Sequence, residues 1–317
     1  MPGNCIALDL GGTKLLIGIV SMNGQILYSK RYPSLLAEGK TQSEMADFML
    51  SCLADFAIGA PMEDVSCIGA GVVGRVDDEA GLWLEIEPGR CETVALSKLL
   101  TDKTGLPCRI DNDVRCALRA ERIFGAGRGL NDFVYMNIGT GIAAAFVSGG
   151  QVIRGHSFNA GEVGHVSVDA FGAVKCPCGR YGCAEAIASG SGLDSRARTL
   201  FGAYPDTLLR LPEKSRVSAK EIFDLAEEGD SLCKRLMDDA AEAAAALIMN
   251  LVWVTDPEAV VLGGGIVSDR RMLQAVLSRL HEGSMRFTGG GVRLSTLDPE
   301  LTGLIGAAMC GFQKPQN

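Results

Sequence analysis

One histidine and three cysteines lie within a short stretch of the sequence and could bind a metal ion. The set consists of His165, Cys176, Cys178 and Cys183. An imidazole and three thiolates complete a tetrahedral zinc shell with no open position for water, which is typical of a structural site. Free thiols or a disulfide are the alternative, which a reducing compartment disfavours. We therefore expect a structural Zn2+ ion bound by these four residues.

Three glycine-rich turns, each at the end of an apolar segment, could hold the phosphates of a nucleotide. They are Asp9-Leu-Gly-Gly-Thr-Lys14, Ile138-Gly-Thr-Gly-Ile142 and Leu262-Gly-Gly-Gly-Ile266. Glycine lets the backbone approach a phosphate, whose oxygens then accept hydrogen bonds from the N–H groups of the turn. Asp9 could hold Mg2+ directly or through water. Any one turn alone is better explained as a hairpin or strand-end turn, but three in one chain favour a nucleotide site.

A run of polar residues, Asp111, Asn112 and Asp113, separates a short apolar segment from a predicted helix. Asp111 or Asn112 could cap that helix by accepting its first N–H groups. One cap satisfies the helix, so at least one carboxylate remains available for chemistry. Phosphoryl transfer to an alcohol uses such a carboxylate to accept the proton of the attacking hydroxyl. Asn112 could bind a neighbouring hydroxyl through its amide.

The elements that must position these residues follow an α/β order with an internal repeat. Apolar segments at 5–10, 15–20 and 25–32 are separated by glycine turns, and the same order recurs at 133–138, 142–147 and 151–154. We interpret this as one copy of a repeat in each of two domains. Helical periodicity predicts helices over 41–57, 94–104, 114–124, 219–228, 231–253, 270–280 and 303–312. Residues 155–182 are too irregular for a packed element.

Composition indicates an ordinary globular protein rather than a nucleic-acid or membrane protein. The chain has 317 residues, 47% of them hydrophobic and 21% charged, and a net charge of −8, which argues against nucleic acid or an anionic membrane as the main partner. No apolar run reaches the roughly 18 residues of a membrane span, and the N-terminus has no signal-peptide pattern. Eleven scattered cysteines do not form a disulfide framework. We expect a cytoplasmic protein.

Two well-known nucleotide fingerprints do not occur in the sequence. No stretch has the P-loop spacing, and no G-x-G-x-x-G opens a helix after the first strand. A nicotinamide-type fingerprint is therefore absent. The nucleotide site must be of another kind.

The residues described above resemble the ROK family of bacterial sugar kinases and repressors over nearly the whole chain. The most specific part of the resemblance is Glu162-x-x-His165 followed by Cys176-x-Cys-Gly-x-x-Gly-Cys183-x-Glu185. The resemblance implies an α/β, two-lobed actin-like (ribonuclease H-like) ATPase fold, with a cleft between the lobes for ATP and sugar. We expect an N-terminal lobe at 1–122 and a C-terminal lobe with the zinc-binding loop at 123–301. A closing helix near 302–313 would pack back on the first lobe.

The resemblance also assigns roles to individual residues. Asp113 would be the general base that activates the 6-hydroxyl of the sugar, while Mg2+ would bridge the β- and γ-phosphates of ATP. His165 would place one ring nitrogen on zinc and the other towards the sugar. The residues expected to bind the remaining hydroxyls are Asn112, Glu162, His165 and Glu185. The residues expected to bind the nucleotide are Asp9, Gly11, Gly12, Thr13, Lys14, Gly139, Thr140, Gly141, Gly264 and Gly265.

The sequence departs from the family pattern in several places. Val73-Gly74 stands where a proline-glycine pair is common, and residues 85–90 replace an Asn-Leu-x-Gly-Trp-like stretch that usually approaches the sugar. Arg115 and Cys116 replace small or amide residues, and residues 143–145 are alanines where glycines are usual. None of these changes removes a group that the mechanism requires, but they leave the identity of the sugar open.

The expected substrate is a free aldohexose such as glucose, and N-acetylmannosamine or N-acetylglucosamine is the alternative. A non-catalytic, sugar-responsive regulator of the same family would belong to a different class, although such a protein does not need a base at Asp113. A DNA-binding repressor of this family would carry a winged helix-turn-helix ahead of the first strand. A zinc hydrolase needs an open zinc position, which the expected shell lacks. A homodimer would be unsurprising for the family.

Overall fold

The computed structural model describes residues 3–87, 89, 91–169, 172 and 174–313. These residues form two compact units. The first comprises the described residues of Met1–Gly129, Arg154–Ala160 and Thr296–Asn317, and the second those of Leu130–Ile153 and Gly161–Ser295. The division therefore falls after the boundary expected at 122, and the segment Arg154–Ala160 belongs to the first unit, which the sequence did not indicate.

Twelve strands and ten α-helices make up the described part of the chain. The strands are β1 (Asn4–Leu10), β2 (Lys14–Val20), β3 (Ile26–Pro33), β4 (Val65–Val72), β5 (Arg75–Asp77), β6 (Leu82–Glu85), β7 (Cys108–Asn112), β8 (Phe133–Ile138), β9 (Ile142–Ser148), β10 (Gln151–Val152), β11 (Ala259–Gly263) and β12 (Val292–Leu294). The helices are α1 (Gln42–Gly59), α2 (Leu96–Thr104), α3 (Asp113–Phe124), α4 (Ala184–Ala188), α5 (Gly190–Leu200), α6 (Ala219–Glu228), α7 (Ser231–Thr255), α8 (Arg270–Leu277), α9 (Glu282–Met285) and α10 (Thr302–Gly311). Short 3-10 turns lie at Leu36–Glu38, Val163–His165 and Phe201–Ala203.

The sheet of the first unit has the strand order β3-β2-β1-β4-β7. Strands β1 to β3 are antiparallel, whereas β4 and β7 run parallel to β1. Leu10 pairs with Val72, and Val72 pairs with Asn112, so the carboxyl ends of β1, β4 and β7 are level. The chain leaves these strands at one edge of the sheet, where open α/β sheets bind ligands.

The sheet of the second unit repeats this arrangement in the order β10-β9-β8-β11-β12. It again starts with an antiparallel hairpin pair and continues with two parallel strands. The internal repeat predicted from the sequence is thus confirmed. Gly263 at the end of β11 pairs with Asn137 near the end of β8, so the second and third glycine turns leave the sheet at the same edge.

Helix α10 packs against α3 and β4 within the first unit, and glycine permits the contact. A Cβ atom added at Gly306 would lie 1.8 Å from the carbonyl oxygen of Cys116, and one added at Gly69 would lie 1.8 Å from that of Ala307. Helix α7, the longest, has a largely buried face in the core of the second unit. Among the described residues, no helix combines the length and apolar character that crossing a bilayer requires.

Several elements differ from the sequence expectations. Helix α2 begins at Leu96 because Val94 forms an isolated bridge with Trp83. Strand β10 covers only Gln151–Val152 rather than 151–154. The hairpin β5–β6 and the helices α4 and α5 were not predicted. Helix α4 carries Glu185, one of the residues expected to bind a sugar hydroxyl.

Candidate active site and metal centre

Asp111 is a buried structural carboxylate at the end of β7. Its side chain is fully buried and forms ion pairs with Arg115 and Arg119, the latter at 2.6 Å. Burial alone would raise the pKa of Asp111, but the two guanidinium groups outweigh it and hold that pKa below its usual value. Asp111 is therefore ionised, and its oxygens are occupied by partners inside the protein.

Asn112 is the N-cap of α3. Its Oδ1 atom accepts hydrogen bonds from the backbone N–H groups of Val114 and Arg115, at 3.0 and 3.1 Å. Its Nδ2 atom donates to the carbonyl oxygen of Gly74 at 2.9 Å and to Oδ1 of Asp113 at 3.0 Å. The amide thus uses both donors and both acceptor positions, and it can bind a sugar hydroxyl directly only by exchanging one of these partners.

Asp113 is the first residue of α3 and is half-buried at the sheet edge. Its Oδ1 atom accepts hydrogen bonds from Asn112 and from the backbone N–H of Val114, the latter at 2.9 Å. The positive end of the helix dipole favours its ionised form. Of the three polar residues at this junction, Asp111 forms buried ion pairs with two arginines, Asn112 caps the helix, and Asp113 accepts from the Asn112 amide and from the first turn of α3.

Gly74 supports this arrangement through its backbone conformation. Its φ of +90° lies in the left-handed region, and an added Cβ would lie 2.1 Å from the carbonyl oxygen of Glu85. The conformation lets the Gly74 carbonyl reach the Asn112 amide. The sequence identified Val73-Gly74 as a departure from the family pattern but did not predict this contact.

The first glycine turn is open to solvent. The N–H of Gly11 donates to the carbonyl oxygen of Lys14 at 3.0 Å, which closes the hairpin between β1 and β2. An added Cβ at Gly12 would meet no described atom within 4 Å, and Thr13 is exposed. Neither positive φ nor crowding explains the pair of glycines. The two glycines leave space that a side chain would otherwise occupy.

The side chain of Lys14 is paired with Glu300. Its Nζ atom contacts Oε2 of Glu300 at 2.8 Å and the carbonyl oxygen of the same residue at 3.1 Å. Arg31 also pairs with Glu300. Lys14 can contact a phosphate only if it exchanges this partner. Local sequence patterns could not predict this contact, because Lys14 and Glu300 lie near opposite ends of the chain.

Asp9, at the end of β1, is a carboxylate without a compensating partner among the described residues. It is 9% exposed, and Gly303 of α10 approaches it so closely that an added Cβ would lie 2.7 Å from its carboxylate oxygens. Burial raises the pKa of Asp9 to about 6, and the charge of Lys14 opposes this only in part. A divalent cation bound by Asp9 would offset the cost of its burial.

Replacing Asp9 by asparagine should stabilise the protein at neutral pH. The pKa of Asp9 is raised from about 3.9 in the unfolded chain to about 6 in the folded one, so ionisation of Asp9 costs stability. The cost is absent below about pH 4 and complete above about pH 6, where it reaches at most about 3 kcal/mol. Denaturant unfolding of Asp9→Asn and native protein between pH 4 and 8, without nucleotide or Mg2+, measures this difference.

The exposed Asp206→Asn variant is the control for the loss of a charge and should match the native protein throughout. A gain in stability for Asp9→Asn that is the same at pH 4 and pH 8, or a loss at pH 8, would contradict the interpretation of Asp9 as an uncompensated buried carboxylate.

The second and third glycine turns contain two kinds of glycine. Gly141 and Gly264 are required by their neighbours, because added Cβ atoms would lie 2.6 Å from the Glu185 carboxylate and 2.4 Å from the carbonyl oxygen of Ile138, respectively. Gly265 has no described atom within 4 Å of an added Cβ, and Gly139 has only an ordinary contact at 3.5 Å. These two leave space at the surface, as the first turn does.

Thr140 is exposed, and its turn is tied to the start of α5. The carbonyl oxygens of Gly139 and Thr140 accept hydrogen bonds from the N–H groups of Gly190 and Ser191, at 2.8 and 3.0 Å. The buried Ser189 caps the helix by accepting from the N–H of Gly192 at 3.0 Å. The second turn therefore has a fixed backbone and an open outer surface.

Glu185 links the second turn to the Glu162–His165 motif. Its Oε2 atom accepts a hydrogen bond from the backbone N–H of Ile142 at 2.8 Å, and Gly164 lies against its side chain. Glu162 is exposed at the start of a 3-10 turn, and His165 at the end of that turn is half-buried. Three of the residues expected to bind sugar hydroxyls, all in the second unit, thus belong to one small region next to a glycine turn.

The histidine and cysteines predicted to bind zinc come together. One ligand atom from each of the four lies within 4.8 Å of the others. Nδ1 of His165 is 3.6 Å from Sγ of Cys176, and the Sγ atoms of Cys178 and Cys183 are 3.7 Å apart. In a tetrahedral zinc site, the bonds are about 2.3 Å to sulfur and about 2.0 Å to nitrogen. The nitrogen ligand then lies about 3.5 Å from each sulfur, and two sulfur ligands lie about 3.8 Å from each other. Disulfide sulfurs would be about 2.05 Å apart.

One cluster next to Gly74 was missed by the sequence analysis. Glu85 accepts hydrogen bonds from Nε of Arg75 and from the thiol of Cys91, each at 3.0 Å. The thiol and then Arg75 hold the pKa of Glu85 below its usual value against partial burial. Glu85, the first residue of the stretch 85–90 that departs from the family pattern, is thus bonded to Arg75 in the hairpin that follows Gly74. Positions 88 and 90 of that stretch lie outside the described residues.

The sequence is similar to those of a known protein family. The sequence profile of the ROK family matches residues 5–310. The glucokinase of Thermotoga maritima is 32% identical over 267 residues, 82% of this chain and 81% of that protein. The N-acetylmannosamine kinase of Shigella boydii serotype 18 is 32% identical over 266 residues, 82% of each chain.

The fold of this chain is also similar to that of a solved structure. A ROK family glucokinase from Streptomyces griseus, in complex with glucose and AMPPNP, is 29% identical to this chain. The TM-score is 0.79, and the match covers 98% of this chain and 99% of that one. The α/β, actin-like fold class predicted from the sequence is confirmed.

Proposed function

Because the chain belongs to the ROK family, we propose that it is an ATP-dependent hexose kinase that phosphorylates the 6-hydroxyl of a free aldohexose such as glucose. Asp113 would be the general base. The observation that carries the assignment of the base is that the three polar residues at the end of β7 have different partners. Asp111 is held by two arginines and Asn112 caps α3, whereas Asp113 stays half-buried at the edge where β1, β4 and β7 end.

In the proposed reaction, Asp113 accepts the proton of the sugar 6-hydroxyl while the oxygen of that hydroxyl attacks the γ-phosphorus of ATP. The bond between that phosphorus and the bridging oxygen of ADP breaks, and the products are a sugar 6-phosphate and ADP. Asn112 contributes by donating to Oδ1 of Asp113, which fixes the direction of the carboxylate. Glu162, His165 and Glu185 would bind other hydroxyls of the sugar and so orient it.

The open glycines support binding of the nucleotide. Gly11 and Gly12 of the first unit and Gly139 and Gly265 of the second leave space that a Cβ would otherwise occupy. Phosphate oxygens could accept hydrogen bonds from backbone N–H groups in the first two turns, and the third turn would lie near the adenosine. Asp9 is the residue that would hold Mg2+, which neutralises charge on the phosphates when bound.

A zinc ion fits the cluster of His165 and the three cysteines. Its role would be structural, since four protein ligands leave no position for water. With Nδ1 directed at the cysteines, Nε2 is the nitrogen that could meet a sugar hydroxyl. The metal site would thereby fix the ring orientation of His165. The homodimer and the cytoplasmic location expected from the sequence stay predictions.

An N-acetylhexosamine is the second candidate substrate. The observation in its favour is that an N-acetylmannosamine kinase is as similar to this chain, at 32% identity, as a glucokinase is. The atypical stretch 85–90, with Glu85 tied to Arg75 and Cys91, could admit an acetamido group.

ADP release measured over a panel of hexoses and N-acetylhexosamines tests the proposal. We expect glucose to give the highest kcat/KM and 6-deoxyglucose to give no sugar-dependent release, because it lacks the accepting hydroxyl. A higher value for N-acetylmannosamine or N-acetylglucosamine would establish the second candidate. Absence of stimulation by every sugar of the panel would contradict the proposed function.

A further inference from the structure

Arg115 is a buried arginine that joins three separate segments of the first unit. The residue is 2% exposed. Its guanidinium pairs with Asp111 at the end of β7 and donates to the carbonyl oxygen of Val76 in β5 at 2.8 Å. It also donates to the carbonyl oxygen of Phe158 at 3.4 Å, in the segment Arg154–Ala160. A planar group with several fixed donors can bridge three acceptors in this way.

Arg119, one helical turn later, makes a different set of contacts. It pairs with Asp111 at 2.6 Å and lies 3.9 Å from Asp78, which is also paired with Arg154 at 2.7 Å. Two guanidinium groups therefore share the Asp111 carboxylate. Loss of either arginine would leave Asp111 with a partner, so neutralising Asp111 does not by itself require Arg115.

The segment that Arg115 contacts holds a strained backbone. Phe158 has a φ of +59°, a left-handed conformation that costs a residue with a side chain about 1 kcal/mol or more. Arg75 donates to the Ser157 carbonyl oxygen at 3.5 Å, and Arg154 anchors the start of the segment through Asp78. The chain continues from Ala160 directly into Gly161 and Glu162. Arginines thus hold a segment that adjoins a motif of the proposed sugar site.

Arg115 also belongs to the hydrogen-bond system of Asp113. The backbone N–H of Arg115 donates to Oδ1 of Asn112 at 3.1 Å, and the amide of Asn112 donates to Asp113. Asp111 in turn accepts from the backbone N–H of Asn112 at 2.7 Å. Through Asp111, the guanidinium of Arg115 therefore stabilises the turn that carries the proposed base, Asp113.

We propose that Arg115 is a positioning residue for the sugar, which holds the turn of Asn112 and Asp113 and the segment Arg154–Ala160 in a fixed arrangement. The inference rests on the proposed function. Arg115 touches neither substrate nor reacting atoms in this role; it acts through the two segments that it joins.

Comparison of Arg115→Met with Arg119→Met tests this role, because both variants remove a buried guanidinium from Asp111 and leave the other. We expect Arg115→Met to raise the KM for sugar and lower kcat, each by about tenfold, since small displacements of positioning groups cost up to about a hundredfold. The KM for ATP should stay within twofold. Arg119→Met should lose stability to a similar extent while keeping both KM values and kcat within twofold of the native protein.

Arg115→Lys separates the charge from the geometry. A lysine can pair with Asp111 but cannot bridge two carbonyl oxygens as well, so this variant should keep the kinetic defect with a smaller loss of stability. It also replaces the methionine variant if that one does not fold. Hydrogen exchange supplies a readout apart from activity: the N–H groups of Phe158 and Ala160, bonded to the carbonyl oxygens of Gly155 and Arg154, should exchange at least tenfold faster in Arg115→Lys than in Arg119→Met.

Folded Arg115 variants with native sugar KM, or Arg115 and Arg119 variants with equal kinetic defects and equal exchange, would overturn the inference while leaving the kinase assignment intact. Native protein that phosphorylates no sugar would instead contradict the proposed function, and the exchange comparison would still report whether Arg115 holds the segment.

Discussion

Replacing Asp113 by asparagine should lower kcat by at least about a hundredfold while leaving the protein folded, because a general base contributes about 10²- to 10⁴-fold. Asparagine keeps an oxygen that can accept from Asn112 and from the N–H of Val114, so the start of α3 is preserved. Loss of the negative charge at the helix N-terminus costs only about 0.5 kcal/mol. Steady-state kinetics with both substrates saturating, together with thermal unfolding, measures the two effects separately.

Asp111→Asn is the matched comparison two residues away. Removing this carboxylate leaves the buried guanidiniums of Arg115 and Arg119 without their shared partner, which should cost about 3–5 kcal/mol of unfolding free energy. Asp113→Asn should therefore lose turnover with little loss of stability. Asp111→Asn should mainly lose stability, with a loss of turnover no larger than the about tenfold expected of Arg115→Met, because Arg115 acts on the turn through Asp111. Near-native turnover of folded Asp113→Asn would refute its role as base.

Replacing Cys178 by serine should abolish zinc binding and weaken the sugar site. The native protein, purified without chelators, should contain about one zinc ion per chain, bound by four ligands. Loss of one thiolate removes a strong ligand, and metal binding free energy is also folding free energy for such a loop. We expect the KM for sugar to rise about 10- to 100-fold, because His165 loses the contact that fixes its ring. Atomic emission and kinetics give both values.

Cys91→Ser is the control, since Cys91 is the other exposed cysteine and lies outside the cluster. Its serine variant can still donate to Glu85 and should keep native zinc content. Protein that contains no zinc before any chelator is added, or a Cys178→Ser variant with undiminished zinc, would count against the metal site.

The sequence sufficed for features whose chemistry is local. The spacing of His165 and the cysteines predicted a cluster that the structure brings together, and all four residues lie in one short stretch of the chain. The glycine turns could also be predicted, since each follows an apolar strand. The repeat could be predicted because both of its copies begin with an antiparallel hairpin around such a turn. The helix-capping alternatives for Asp111 and Asn112 stayed open in the sequence, and the structure assigns the cap to Asn112.

Contacts between distant parts of the chain could not be predicted. Lys14 reaches Glu300 across 286 positions, and Arg115 reaches Phe158 across 43, without any local pattern to mark them. Arg115 was noticed only as a departure from the family pattern. Helix α4 was missed because its five residues are too few for helical periodicity to emerge. Long-range pairing, not local propensity, decides which polar groups remain available for a ligand.

The product of the reaction tests the central claim most directly. When native protein and Asp113→Asn are incubated side by side with glucose and ATP, phosphorus NMR should show that native protein forms a sugar phosphate whose phosphorus couples to the protons on C6. The variant should form it at about a hundredth of that rate or less. A phosphate on another carbon, no phosphosugar at all from the native protein, or equal rates from the two proteins would contradict the account.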